Sequence, residues 1–468
     1  MRRFRLQSAF LPQGWARDAL VTVSDEGLIT SVDAAAAERN EALAGAERID
    51  GIVIPGMANA HSHAFQRGLA GNTEYRLSSR DSFWTWRRAM YALANRIEPD
   101  DLQALATQLF IEMLKSGYTS VAEFHYLHRR RDGTPYAGMN ALWEAIGSAA
   151  SLAGIGLTFL PTLYQTSDFG GQPLKAEQAR FAFATDAFVR AIEERISAER
   201  RGTDAMRTQR TGAAFHSLRA VPFENLREAA LRLREFDAHM PVHIHVAEQA
   251  LEVKACVSAT GRRPVELLLD SGLLTPQWCL VHATHATAAE LAGVAGSGAS
   301  VCVSISTEAN LGDGFFDAVR FLKSGGRLCV GSDSQSTVSP SEELRWLEYQ
   351  QRLRRKQRGV LADAAEPHVG TRLWRDAAQH GAQAIGQPGG AIELGRRADW
   401  VVLDAGHASM LGAAADAALD HLVFAGGDAA IRDVMVAGRW VIKDRRHAAE
   451  DTVLARCADL LQRLTAGA

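Results

Sequence analysis

His61-Ser62-His63 places two imidazoles one residue apart, just after an apolar run, Gly51-Ile52-Val53-Ile54, reaches Pro55-Gly56. Side chains on an extended strand alternate faces, so the two rings point the same way and can share one metal ion. Two solvated or core histidines would explain this pair equally well. What separates a metal site from that alternative is further ligands at other strand ends, and the chain has them. Val242-His243-Ile244-His245-Val246-Ala247-Glu248 is one such end, Leu280-Val281-His282 a second and Cys329-Val330-Gly331-Ser332-Asp333 a third. The donors are nitrogen and oxygen, a set that suits zinc or iron in hydrolytic chemistry.

These residues need a frame that brings distant strand ends together. Eight strand-like runs appear, at Ile52–His63, Thr119–Tyr126, Gly154–Tyr164, Thr211–Ala220, Met240–Glu248, Trp278–His285, Ala299–Thr307 and Arg327–Ser334. Helical patterns lie between them, among them Leu102–Leu114 with Gly117 as its stop, Phe223–Phe236 and Glu342–Arg354. Strand and helix in alternation predict an α/β chain folded as a (β/α)8 TIM-like barrel, whose active site lies at the C-terminal ends of its strands. The second and fourth runs end in Glu123-Phe124-His125-Tyr126 and His216-Ser217-Leu218-Arg219, which adds polar residues to the same rim.

The two chain ends share a different texture. Ala19–Val23 and Leu28–Val32 flank the turn Asp25-Glu26-Gly27, and Arg397–Asp404 and Val434–Ile442 are again strand-like. Both ends are expected to form one small β-sandwich domain, from residues 1–53 and 388–468, the latter with a terminal helix, beside a barrel over residues 54–387. Residues 170–210 are charge-rich and read as a solvated helix and loop rather than a binding patch.

Composition narrows the function. The net charge of −3 and the 22% of charged residues give no support for a nucleic-acid or membrane-surface partner. Met1-Arg2-Arg3-Phe4-Arg5-Leu6 is basic but lacks the apolar core of a signal peptide, and no stretch is long and apolar enough to cross a bilayer. Cys256, Cys279, Cys302, Cys329 and Cys457 include no C-x-x-C pair, as expected for buried, reduced thiols in the cytoplasm.

The chain resembles the amidohydrolase superfamily, in its deaminase branch with one metal. The matching elements are Pro55-Gly56 leading into His61-Ser62-His63, His245-x-x-Glu248, His282 and Gly331-Ser332-Asp333, with the β domain built from both termini. Within that branch it is similar to the family that deiminates N-formimino-L-glutamate in histidine degradation. That likeness rests on His61-Ser62-His63-Ala64-Phe65-Gln66-Arg67, Trp84-Thr85-Trp86-Arg87-Arg88-Ala89-Met90-Tyr91, His216-Ser217-Leu218-Arg219 and Thr307-Glu308-Ala309-Asn310-Leu311-Gly312-Asp313-Gly314. One departure stands out: Gln335 occupies a place where histidine is usual.

The resemblance implies one divalent ion, zinc or else iron, held by His61, His63, His245 and Asp333, with His282 beside the attacking water. The runs Gly154–Tyr164 and Thr211–Ala220 contain no lysine that could be carboxylated to bridge a second metal. Asp333 is expected to take the water's proton and Glu248 to pass one to the leaving nitrogen; orienting a ligand histidine is the other role open to Glu248. A substrate with two carboxylates needs fixed cations, for which Arg219 and Arg87 are the candidates, with Arg88 hard to separate from its neighbour. Gln66, Tyr126 and His216 are expected to supply the remaining polar contacts. A homodimer is expected. Two other functions fit parts of the pattern. A deaminase of guanine-like or cytosine-like rings would share the metal site without needing two arginines, and a barrel that had lost its metal would serve as a binding scaffold.

Overall fold

The computed structural model describes residues 1–36, 45–75, 83–137, 140–202 and 208–465. The chain opens with β1 (Arg2–Leu11), β2 (Gly14–Val23), β3 (Ile29–Asp33) and β4 (Glu47–Pro55). It continues with β5 (Met57–Ser62), β6 (Tyr118–His125), β7 (Gly156–Leu163), β8 (Gln209–Thr211) and β9 (Ala213–Ser217). Next come β10 (Val242–Val246), β11 (Trp278–His282), β12 (Ser300–Val303) and β13 (Arg327–Val330). The last strands are β14 (Trp400–Leu403), β15 (Ile431–Val436), β16 (Arg439–Lys443) and β17 (Arg446–His447).

β5, β6, β7, β9, β10, β11, β12 and β13 stand in that order as parallel neighbours, and β8 adds a short pairing to β7. All eight expected barrel strands are therefore present. The sheet nearly closes on itself through a parallel bridge between Ser62 and Asp333, where the Ser332 and Asp333 N–H groups both donate to the His61 carbonyl. Every residue of β5, β6 and β7 is buried, as expected of parallel strands lined inside and covered by helices outside.

The second sheet has eight strands, in the order β17-β16-β15-β14-β4-β1-β2-β3, so both chain ends build it. Phe4, Leu6, Ile49, Val53, Trp400 and Met435 form its core, and the Phe4 and Trp400 rings meet edge to face with centroids 5.3 Å apart. The expected run Ile52–His63 proves to be two strands in two sheets. Its continuous hydrophobicity hides the switch, which falls at Gly56, where a Cβ would lie 2.2 Å from the Thr119 side chain and only glycine fits.

The helices follow their capping signals. Pro99–Ser116 contains the expected Leu102–Leu114 pattern and stops at Gly117, which holds φ 100°. Its Leu102, Leu105, Leu109, Phe110 and Met113 are buried, each worth about 1.5–3 kcal/mol of transfer free energy. Phe223–Phe236 is helical as expected. Pro340–Arg355 contains the expected Glu342–Arg354 pattern and is capped by Ser339, whose hydroxyl accepts from the Glu342 N–H.

Three local expectations are corrected. Ala299–Thr307 is a strand only to Val303; Ile305–Leu311 is a helix that carries Thr307 and Glu308 to the barrel rim. The tryptophan-rich stretch around Arg87, read as loop-like, is the helix Phe83–Ala94, which buries Phe83, Met90, Tyr91 and Ala94 on one face. In the charge-rich segment the helix Thr185–Arg201 buries Phe188, Val189, Ile192 and Ile196, while Arg180 before it is buried with its guanidinium donating to the carbonyls of Ala94, Ile97 and Arg129. Residues 203–207 of that segment lie outside the described residues.

Candidate active site

Three imidazoles converge at the C-terminal end of the barrel. His61 and His63 come from the end of β5 and His245 from β10. Nδ1 of His63 lies 2.8 Å from the Phe124 carbonyl and Nδ1 of His245 lies 2.8 Å from the His216 carbonyl. A carbonyl only accepts, so both Nδ1 atoms carry the proton and, in neutral rings, each Nε2 is a bare lone pair. Yet Nε2 of His245 lies 3.3 Å from Nε2 of His63 and 3.1 Å from Nε2 of His61. The facing lone pairs of His63 and His245 repel, and a cation between them resolves the conflict. Oδ1 of Asp333 adds a fourth donor, 3.2 Å from Nε2 of His61 and 3.4 Å from Nε2 of His63.

The ligand atoms of His61, His63, His245 and Asp333 all lie within 4.8 Å of one another. Ligands at about 2.0–2.1 Å from a tetrahedral centre stand about 3.3–3.4 Å apart, so this donor set fits one ion. Protonation suits it too. Burial, with His61 close by, pushes His63 down to about 3, and burial lowers His61 and His245 as well, so all three rings are neutral. Burial works against the Asp333 charge, but His61, His282 and His63 outweigh it and hold the carboxyl well below the usual range.

The backbone is bent to reach this arrangement. Ala247, His282, Ala283 and Asp333 all hold positive φ, at 51°, 70°, 50° and 47°. Such conformations cost on the order of 1–3 kcal/mol each and gather where a site over-determines them. After β10 the compensation is visible: the Glu252 carboxylate accepts from the N–H groups of Ala247 and Glu248, both at 3.0 Å.

Proton-handling groups lie against the cluster. Nε2 of His282 is 3.8 Å from Oε1 of Glu248 and 3.8 Å from Oδ2 of Asp333, while its Nδ1 lies 3.3 Å from Oε1 of Glu308. Burial opposes a charge on His282, but Glu248, Glu308 and Asp333 outweigh it and push the ring up to about 10. Burial pushes Glu248 up to about 7, against His282 and helped by Asp333 and Glu252. A carboxyl poised there can both give and take a proton near neutral pH.

One pocket joins this machinery to the arginines. Gln66, Arg87, Tyr126, His216, Arg219 and Glu248 line it, together with His63, His245, His282 and Asp333; His61 lies buried beneath. Arg219 is 7% exposed, and its Nε and the Nη1 of Arg87 are buried without a hydrogen-bond partner. Neither arginine pairs with a carboxylate among the described residues. Burial opposes the Arg219 charge, but Tyr164, Glu252, Tyr91 and Glu248 hold it protonated. The Trp84 indole lies against both cations, 4.4 Å from Cζ of Arg87 and 5.5 Å from Cζ of Arg219, as a shared π-face would. Arg88 is exposed, which separates it from Arg87. Nε2 of Gln66 donates to the Tyr126 hydroxyl at 2.9 Å, and burial holds His216 neutral.

Every site residue expected from sequence thus lies in or beside one cavity. Glu308 and Glu252 were missed as site residues. The first sits in the quoted motif Thr307-Glu308-Ala309-Asn310, and the second lies in the first turn of the helix Ala250–Thr260 that follows Glu248.

The comparisons with known proteins agree with this geometry. Residues 52–441 match the amidohydrolase family. A formimidoylglutamate deiminase of Pseudomonas aeruginosa is 48% identical, covering 95% of this chain and 95% of that protein. A 5-methylthioadenosine/S-adenosylhomocysteine deaminase of Halobacterium salinarum is 28% identical, over 91% of this chain and 90% of its own. The crystal structure of an amidohydrolase from Brucella melitensis superposes with a TM-score of 0.90 at 39% identity, covering 99% of this chain and 100% of that one. The chain belongs to the amidohydrolase family.

Proposed function

We propose that the protein hydrolyses N-formimino-L-glutamate to N-formyl-L-glutamate and ammonia at a single zinc ion held by His61, His63, His245 and Asp333. The observation that carries the substrate is a pair of guanidiniums, the buried Arg219 and the half-buried Arg87 with its Nη1 sequestered, left without carboxylate partners among the described residues in the pocket that also holds the cluster. An unpaired buried charge is costly, so a site that keeps Arg219 buried with a second, half-buried cation beside it is built for an anionic guest. The 48% identity to a formimidoylglutamate deiminase supports the same substrate.

The chemistry a divalent ion supplies here is acidification of water, whose pKa falls to about 7. Asp333, ionised and facing the cluster, takes the proton that the attacking water loses. The water oxygen bonds to the amidine carbon, which becomes tetrahedral. With the amidine protonated at the start, Glu248 then delivers a proton to the terminal nitrogen, the C–N bond to it breaks, and ammonia leaves. The intermediate's O–H proton passes back to the Glu248 carboxylate as the formyl carbonyl forms, and the proton held by Asp333 is released to water. His282, held by Glu308 on one side and facing Glu248 and Asp333 on the other, keeps the two carboxylates in register and donates to the new oxygen. Arg219 and Arg87 pair with the glutamate carboxylates, and Tyr126, Gln66 and His216 close around the amidine.

Glu248→Gln is expected to keep the fold and its metal while turnover falls by roughly a hundredfold or more, because the variant holds the side-chain shape but moves no proton. Metal content and ammonia release, measured on the same preparation, check this; near-normal turnover would leave Glu248 only an orienting role. The substrate is tested by ammonia release from N-formimino-L-glutamate against a panel of guanine, cytosine, adenosine and 5-methylthioadenosine. Release from a ring substrate alone would replace the amidine with a heterocycle.

A further inference from the structure

Gln335 sits where the barrel is sewn shut, and no step of the proposed chemistry uses it. β5 and the loop after β13 meet through one bridge, Ser62 to Asp333, and each side of that bridge carries residues of the metal cluster. The Gln335 side chain, fully buried, spans the bridge. Its Nε2 donates to the Ser62 hydroxyl at 3.1 Å and to the Asp333 carbonyl at 2.7 Å, and its Oε1 accepts from the Ser332 hydroxyl at 2.7 Å. Ser62 passes the linkage on to Oε2 of Glu123 at 2.8 Å, and Ser332 accepts from Nδ2 of Asn59 at 2.6 Å. Both amide hydrogens and the amide oxygen are engaged, so this orientation of the group is determined.

The backbone explains why such a clasp is needed. Asp333 and Gln335 hold φ of 47° and 64°, a region that side chains other than glycine rarely adopt. Left unsupported, the loop would relax toward ordinary geometry and carry the Asp333 carboxylate away from His61 and His63. The Asp333 carbonyl accepts from the His63 N–H at 3.2 Å as well as from Gln335, which fixes the loop against the strand bearing the two histidines. Gln335 does not line the pocket, so it touches neither substrate nor reacting atoms.

We propose that Gln335 is a positioning residue that locks the Asp333 backbone against the end of β5 and thereby sets the affinity of the four-residue cluster for its metal ion. The inference rests on the proposed metal site. Its test is zinc affinity, measured on metal-free protein by competition with a chromophoric chelator, beside thermal unfolding of the same metal-free protein. Gln335→Leu removes all three hydrogen bonds at similar volume and is expected to weaken zinc binding by about 10–100-fold, the range for outer hydrogen-bond partners of metal ligands. Gln335→Asn keeps the amide but is too short to span the bridge, and is expected to weaken zinc binding as well; it decides the matter should the leucine variant not fold. Unaltered zinc affinity in a folded variant would overturn the proposal, as would a lower unfolding temperature of metal-free protein with no change in affinity. Failure of the unaltered protein to bind zinc at all would instead overturn the metal site itself.

Discussion

His245→Ala is expected to lose metal and activity together. His245 is the one cluster ligand contributed by β10, and its Nε2 lies within 3.3 Å of both other imidazole nitrogens. Its removal leaves two histidines one residue apart at the end of β5 and one carboxylate across the seam. Metal affinity should fall by more than about 100-fold, beyond the loss typical of an outer hydrogen-bond partner. The ring is buried against Phe124, with centroids 4.4 Å apart, so circular dichroism must accompany the metal analysis to show that the barrel survives. A folded variant that kept a full ion and full ammonia release would remove His245 from the ligand set.

Arg219→Met should act on substrate recognition and spare the metal. Arg219 follows His216 by three residues at the rim beyond β9, and its guanidinium is held in the pocket without a carboxylate partner. Losing one desolvated, charge-assisted pair costs about 2–5 kcal/mol of transition-state stabilisation, roughly tens- to thousands-fold in kcat/KM. Methionine preserves the length and apolar stem of the side chain, which limits the packing loss. The penalty should shrink for formimino compounds lacking the carboxylate that Arg219 receives. If the variant handled the dicarboxylate as well as the unaltered enzyme does, Arg219 would have no part in substrate binding.

Much of this was legible in the residues. The eight barrel strands announce themselves because strands buried on both faces are near-continuous apolar runs, and the ligands stand at their ends because parallel barrels work there. The same continuity hid the switch at Gly56, where one apolar run serves two sheets. Arg87 and Arg88 could not be told apart while their segment was read as a loop, since a loop has no phase. On the helix Phe83–Ala94, Arg87 stands three residues from Trp84 and four from Phe83 and turns inward, whereas Arg88 faces solvent. Glu252, Glu308 and Gln335 were illegible for another reason. Glu308 bonds to the His282 ring and Gln335 to the Ser62 hydroxyl across the fold, contacts whose partners no local spacing displays. Glu252 bonds to the N–H groups of Ala247 and Glu248 just before its own helix, a bend that the apolar run of β10 does not announce.

The most direct test is the ratio of kcat/KM for N-formimino-L-glutamate to that for N-formimino-L-glutamine, measured by ammonia release with the zinc-loaded enzyme. The two substrates share the amidine and the α-carboxylate and differ in one charge, so the ratio isolates the guanidinium that meets the side-chain carboxylate. The expected result is a preference for the dicarboxylate of at least about thirtyfold, the lower end of the cost of an unpaired buried charge. Equal efficiencies would contradict recognition of two carboxylates by Arg219 and Arg87.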